Sequence, residues 1–119
     1  MITEKDGLIT AFEEGKRAEA ELTRMRALAD LDGIAENSFW EDKWYFFRIL
    51  VNQSDEKGLG SKLLDEVLEY CRQKKYSILH IVNGYGGYGQ KETEDWFISR
   101  GFKPLNYAKY KNGILIWRG

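Results

Sequence analysis

The chain has 119 residues, of which 43% are hydrophobic and 31% charged, and its formal net charge is −1, which is typical of one globular domain. No apolar stretch approaches the ~20 residues of a membrane span, and the N-terminus lacks the segments of a secretory signal, so we expect a cytoplasmic protein with no membrane partner. One cysteine (Cys71) and one histidine cannot form an internal disulfide or supply the usual metal sites, so we expect no bound metal.

The N-terminal part is predicted to be mainly helical. Apolar residues at three- and four-residue spacing indicate a helix over residues 8–31, which could be broken near Gly15 and ends near Gly33. These residues are Leu22, Met25, Leu28 and Ala29. Two pairs could form capping boxes at its start, namely Thr3 with Asp6 and Thr10 with Glu13.

Residues 43–52, KWYFFRILVN, are aromatic and β-branched and predict a strand. The strand is apolar on both faces except at Arg48, which indicates a central strand covered on both sides. Residues 37–40 could form a short partner strand.

The segment that follows predicts a helix and then a second buried strand, SILHIVN. The helix has one apolar stripe, formed by Leu63, Leu64, Val67, Leu68 and Cys71. A strand, a helix and a strand in this order predict that the two strands are parallel.

The C-terminal part is predicted to contain a third helix and a hairpin. The helix runs from about Glu92 to Arg100 and stops at Gly101. FKPLNYAKY and ILIWRG then read as two strands, because Asn112-Gly113 between them favours a tight turn.

A glycine-rich loop follows the second buried strand, and it spells G-x-G-x-x-G at Gly84, Gly86 and Gly89. A dinucleotide site also needs an acidic residue about 20 positions later and further parallel strands. The chain has no acid after Asp95 and ends in the predicted hairpin. We therefore do not expect this loop to bind a dinucleotide.

A second glycine pair, Gly58 and Gly60, lies between the central strand and the following helix. Such a turn presents backbone N–H groups at a helix N-terminus, where they can bind a pyrophosphate. The sequence is not a Walker A motif, because G-x-x-x-x-G-K-[ST] is absent. A tight strand-to-helix turn without a ligand is the alternative.

Together these segments resemble the GCN5-related N-acetyltransferase (GNAT) family. DEKGLGSKLL resembles its acetyl-CoA loop, and WFISRGFKPL resembles a later family element. The resemblance covers residues 43–119 and implies a GNAT-like α/β fold (α+β, mixed sheet) with about three helices and a C-terminal β-hairpin. We expect one domain over residues 1–119, with residues 1–42 as a shortened helical part.

The resemblance also implies the residues that bind acetyl-CoA. The backbone of residues 56–61 would hold the pyrophosphate, and the edge of residues 50–52 would pair with the pantetheine arm. The two parallel strands would separate, with the thioester in the gap between them. The implied cofactor-binding residues are Leu50, Val51, Asn52, Glu56, Lys57, Gly58, Leu59, Gly60, Ser61, Asn83, Gln90 and Thr93.

The sequence departs from the family pattern at three places. Asp55 stands where the family has Gln or Arg, and a carboxylate there repels a pyrophosphate. Phe97 stands where many members have the tyrosine that protonates the leaving thiolate, so Tyr85 or Tyr88 of the glycine-rich loop could supply the phenol instead. The short N-terminal part would leave a sheet edge that a homodimer or a partner could cover.

Acetylation of an amine also needs a base or a water chain, and Glu41, Asp42 and His80 are candidates. The predicted catalytic residues are therefore Tyr85, Tyr88 and Glu41. His80 lies in an apolar strand, where a core histidine is the more frequent case.

We predict an acetyl-CoA-dependent N-acetyltransferase whose acceptor is a protein lysine or a small amine, attacking the thioester directly. The alternative is a catalytically impaired module that binds CoA or a protein. Five basic residues follow the last acid, but the overall charge is close to neutral, so we do not expect nucleic-acid binding.

Overall fold

The computed structural model describes residues 1–13, 18–24, 43–52, 58–82, 89–104 and 114–118. Within these ranges lie seven strands and two helices. The strands are β1 (Ile2–Lys5), β2 (Leu8–Phe12), β3 (Ala18–Arg24), β4 (Lys43–Asn52), β5 (Tyr76–Ile81), β6 (Lys103–Pro104) and β7 (Ile114–Arg118). The helices are α1 (Leu59–Lys74) and α2 (Gln90–Ile98). All seven strands form one mixed sheet in the order β1-β2-β3-β4-β5-β7-β6.

The helix predicted over residues 8–31 is wrong for residues 8–12 and 18–24, which form β2 and β3. Buried and more exposed residues alternate along β3, as expected of a strand with one face on the core. The capping boxes are wrong as well, because Thr3 and Thr10 are cross-strand partners in the β1–β2 pair. Met25, Leu28, Ala29 and the short strand at 37–40 lie outside the described residues.

The β1–β2 hairpin has a local cause that the sequence displays. Asp6 has φ 53° and Gly7 has φ 79°, so both residues of the two-residue turn are left-handed. An Asp-Gly pair in this conformation matches the twist of the two strands that it joins. The KDGL segment is therefore a hairpin signal, and it outweighs the helical spacing that follows it.

The centre of the fold is as predicted. β4 is the fourth of the seven strands, and it pairs with β5 in parallel after the crossover through α1. Trp44 and Tyr45 point to opposite faces and are only 3% and 2% exposed, which confirms that β4 is covered on both sides. The apolar stripe predicted for α1 is buried in the main core.

The predicted third helix is present as α2, which starts two residues earlier than expected and ends at Ile98. Gly101 follows it with φ 99°, a conformation that favours glycine and ends the helix. β6 and β7 pair antiparallel as predicted, although Asn112 and Gly113 lie outside the described residues. The described residues thus contain two helices rather than about three.

In the part of the chain that the structure describes, neither helix is long and apolar enough to cross a membrane.

Candidate functional site

The feature that defines the site is the separation of β4 from β5. Their parallel register starts at Lys43–Tyr76 and ends at Phe46–Leu79. Beyond that step β4 stays paired with β3 as far as Asn52, and β5 stays paired with β7 as far as Ile81. A gap therefore opens inside the sheet, with one strand edge on each side of it.

A β-bulge lies at the start of this gap. Leu22 of β3 is opposite Phe47, but the preceding residue Glu21 is opposite Ile49, so Arg48 is the extra residue on β4. A bulge bends its strand and increases the local twist. Arg48 also pairs with Glu21 at 3.1 Å, at the same point of the sheet. The bend gives a physical reason for β4 to turn away from β5 here.

The N-terminus of α1 follows β4 after the segment 53–57. Gly58 precedes the helix with φ 82°, and its carbonyl oxygen accepts the first intrahelical bond, from the Lys62 N–H at 3.0 Å. The first N–H groups of a helix have no partner within the helix, and they carry its positive dipole end. The first turn of α1 contains no acidic residue, and no side chain of the described residues caps it.

Among the described residues, the backbone at Gly60 in the first turn of α1 has no close neighbour on its Cβ side. A Cβ atom on Gly60 would meet no atom of the described residues within 4 Å. Lys62, two residues further along α1, pairs with Glu13 at 3.3 Å. The Lys62 side chain is 57% exposed, whereas that of Glu13 is only 18% exposed.

The structure brings several of the predicted cofactor-binding residues to these two features. Leu50, Val51 and Asn52 lie on the part of β4 beyond the last β5 pair. Leu59 is 1% exposed and belongs to the core, so only its backbone can face a ligand. Gly58, Gly60 and Ser61 lie at the start of α1.

Thr93 and Gln90 are both on α2, which follows β5 in the chain. The Thr93 hydroxyl donates to the Gly89 carbonyl oxygen at 3.0 Å, so its own helix already uses its proton. The remaining predicted residues lie outside the described residues. They are Glu41, Glu56, Lys57, Asn83, Tyr85 and Tyr88.

An aromatic cluster closes the narrow end of the gap. The His80 ring lies 5.1 Å from the Phe47 ring and 4.6 Å from the Phe97 ring, measured between centroids. Phe97 is fully buried and also contacts Phe102. Phe97, which the sequence comparison above aligns with the family's tyrosine position, is therefore a core residue at the end of the gap.

His80 is 2% exposed, as expected of a core histidine, and its Nδ1 lies 3.1 Å from the Phe47 carbonyl oxygen. Burial, only partly offset by this hydrogen bond, lowers the pKa of His80 to about 4. The imidazole is therefore neutral at physiological pH. The sequence indicates a core histidine here but not its link to Phe47, because no local pattern shows where a strand pair ends.

Other chemistries find little support in the described residues. No group of three His, Cys, Asp or Glu side chains there could hold a metal ion. Burial raises the pKa of the Cys71 thiol to about 12, so this cysteine is not an activated nucleophile.

Comparison with known proteins identifies the fold. No family model matches the sequence, and no curated protein matches it. Among solved structures, the crystal structure of the anti-CRISPR protein AcrVA5 matches with a TM-score of 0.63 at 15% sequence identity. The match covers 93% of this chain and 98% of that chain. The fold is GNAT-like. It is a mixed α+β fold, and at this level of identity the match shows the architecture alone.

Proposed function

We propose that the chain is an acetyl-CoA-dependent N-acetyltransferase that acts on a protein amine. The observation that carries this proposal is the gap between β4 and β5, with the N-terminus of α1 following the strand that borders it. The gap offers an extended ligand a backbone edge that no described strand pairs with, and the helix end offers N–H groups to its phosphates. Acetyl-CoA is a ligand of this kind, because its extended pantetheine arm is joined directly to its pyrophosphate.

The residues at the site fit this cosubstrate. The backbone N–H groups of Leu59, Gly60 and Ser61 would donate to the pyrophosphate, and the open space at Gly60 lets it approach. The backbone of residues 50–52 would pair with the amides of the pantetheine arm. Because these contacts use backbone atoms, they do not require a particular side chain in the loop.

The rate of the reaction then depends mainly on how the acceptor amine is placed relative to the thioester. A neutral acceptor amine attacks the thioester carbonyl carbon, the C–N bond forms, and the C–S bond breaks with its electron pair on sulfur. Phe97 has no proton to give to the sulfur, so Tyr85 or Tyr88 is proposed as the acid. Glu41 is proposed as the base that takes the proton from the amine.

A protein acceptor is favoured over a small amine by the structural comparison. The similar structure is that of a protein named as an anti-CRISPR, and this name favours a protein target. We therefore propose a lysine of a CRISPR effector protein as the acceptor. Mass spectrometry of purified effectors, incubated with the chain and labelled acetyl-CoA, would detect labelled acetyl groups on lysine side chains.

Gly60 provides a direct test of the cosubstrate site. Gly60→Trp should abolish acetyl-CoA binding in calorimetry, because the indole would occupy the space above the helix end. Gly60→Ala is the matched control, and it should fold and bind much as the unmodified chain does, since its Cβ meets no described atom. Binding of acetyl-CoA by the Trp variant at unchanged affinity would refute the assignment.

A non-catalytic module is the second candidate. The complete burial of Phe97 favours it, because the usual acid position has become part of the core. Such a module would bind CoA or a protein partner without acetyl transfer. The outer strand β1 at one end of the sheet is where a homodimer or a partner could pair. Binding of acetyl-CoA with no transfer to any tested amine would select this candidate.

A further inference from the structure

A side chain links β4 to β5 at the point where the gap between these two strands begins. The last backbone register pair is Phe46–Leu79, so Phe47 and His80 are the next residues on each strand. The Nδ1 atom of His80 lies 3.1 Å from the Phe47 carbonyl oxygen. A histidine side chain on β5 thus binds the β4 carbonyl at the step where the regular pairing stops.

The imidazole is held in this place by packing on two sides. The Phe47 ring meets it edge-on at an interplanar angle of 62°, and the Phe97 ring is tilted against it at 55°. Phe97 is itself fixed by Phe102 at 5.2 Å. Contacts of this kind restrict the plane of the ring, and the hydrogen bond to Phe47 sets which edge of the ring faces β4.

The protonation state follows from the same environment. The buried imidazole is neutral, and a neutral ring that faces a carbonyl oxygen through Nδ1 must carry its proton on Nδ1. The hydrogen bond is therefore Nδ1–H donating to the Phe47 carbonyl oxygen, and it persists across the physiological pH range.

We propose that His80 is a positioning residue that fixes where β4 and β5 separate, by donating to the Phe47 carbonyl oxygen in place of the regular strand pairing. Backbone pairing holds two strands about 4.8 Å apart. Because the His80 side chain donates to the Phe47 carbonyl oxygen, that carbonyl does not need a backbone N–H of β5, and the strands can lie further apart. The bulge at Arg48 bends β4 on its β3 side, while His80 satisfies the carbonyl on its β5 side.

The consequence for function rests on the proposed acetyl-CoA site. The narrow end of the gap sets how far the pantetheine arm can enter between the strands, and hence where the thioester stops. If pairing moved one residue further, the thioester would be displaced by one residue spacing, about 3.3 Å. A displacement of that size is enough to impair both binding and transfer.

Two substitutions separate the hydrogen bond from the packing of the ring. His80→Phe keeps an aromatic ring but removes the donor, and His80→Asn loses the ring but retains an amide N–H at the place of Nδ1. We expect His80→Phe to weaken acetyl-CoA binding about tenfold in calorimetry, and His80→Asn to remain within about threefold of the unmodified chain. Ser77→Ala, a buried change in the paired part of β5, is the control and should leave the affinity unchanged.

Hydrogen exchange of the free protein tests the same idea without the cosubstrate. We expect His80→Phe to change exchange at the amides of residues 47–49 and 80–82 more than about tenfold, while Tyr45 and Ile78 in the paired segment stay as they are. Unchanged exchange at the gap in a folded His80→Phe variant would overturn the proposal. If the exchange changes but the unmodified chain does not bind acetyl-CoA, then the proposed function fails while the role of His80 in separating the strands stands.

Discussion

Tyr76 donates its phenol hydrogen bond to the Glu4 carboxylate at 2.8 Å, across 72 residues of sequence. Tyr45 donates to the same oxygen at 2.9 Å, and Tyr70 of α1 donates to the other. Glu4 on β1 is thus connected to β4, β5 and α1. These contacts lie at the paired end of β4 and β5, opposite the gap. One carboxylate fixes the N-terminal hairpin to the elements that form the centre of the fold.

Loss of this carboxylate should destabilise the whole domain. Glu4→Gln weakens three charge-assisted hydrogen bonds, and we expect the free energy of unfolding to fall by about 1–3 kcal/mol. Urea denaturation followed by tryptophan fluorescence would measure it. Glu19→Gln, on an exposed position of β3, is the control and should change stability by less than about 0.5 kcal/mol. Equal effects of the two substitutions would contradict the role of Glu4.

The stability should fall in acid for two separable reasons, of which Glu4 is the first. Partial burial raises the pKa of Glu4, but the hydrogen bonds from Tyr70, Tyr76 and Tyr45, with the nearby Lys74 charge, outweigh it and lower the pKa from its ordinary value of 4.5. A carboxyl with a lowered folded-state pKa stabilises the fold above its unfolded pKa, and this stabilisation is lost as the pH falls further. The difference in melting temperature between the unmodified chain and Glu4→Gln should therefore narrow below about pH 4.5.

His80 is the second reason, and it acts at higher pH. Its folded-state pKa of about 4 lies below the ordinary 6.5, so the unfolded chain binds a proton that the folded chain does not. Stability is full above about pH 6.5 and should decline by about 3 kcal/mol as the pH falls toward about 4. His80→Asn, which does not titrate, should show a flatter profile over this pH range. Parallel profiles for the two proteins would show that the buried histidine is not the cause.

The Asp6-Gly7 turn gives a test of the N-terminal hairpin. An added Cβ on Gly7 would lie 3.1 Å from the Arg24 Cβ, and φ 79° is a strained conformation for alanine. Gly7→Ala should therefore destabilise the chain by about 1–2 kcal/mol. Gly60→Ala is the matched control, because Gly60 lies inside α1 without a positive φ, and an added Cβ there meets no described atom within 4 Å. Thermal melting of both variants would check this, and an unaffected Gly7→Ala would argue against the turn.

Phe97→Tyr tests whether the usual phenol can be restored. The ring is fully buried between His80 and Phe102, so an added hydroxyl has to find a partner within the core. We expect a loss of stability of about 1–3 kcal/mol and no faster acetyl transfer. Phe12→Tyr, at a half-buried position, should be tolerated. Faster transfer by the Phe97→Tyr variant would show instead that position 97 reaches the reaction.

The central β-α-β unit could be predicted from sequence because its signals are local and agree with one another. KWYFFRILVN has strand composition, and the apolar stripe of α1 has a helical period. For the N-terminal part, the sequence predicted a helix, because Leu22 and later apolar residues have helical spacing. Cross-strand pairing formed β3 instead, and the Asp6-Gly7 turn was the local signal that could have indicated it.

The site could be predicted only in outline. Gly58 and Gly60 marked the helix end because glycine has a direct backbone meaning at a turn. The step at which β4 and β5 separate is not visible in the sequence, since it depends on a bulge opposite β3 and on a side chain from β5. The roles of Tyr85, Tyr88 and Glu41 stay predictions, because these residues lie outside the described part of the chain.

The position of β7 has a consequence for how the protein is made. β7 lies between β5 and β6, although it is the last of the seven strands to leave the ribosome. Once residues 1–104 have left the ribosome, β1 to β5 can pair, but among the described strands β5 then has one open edge and β6 has no partner. We therefore expect the sheet to close only after synthesis has passed Arg118, so that ribosome-stalled chains shorter than this remain sensitive to protease.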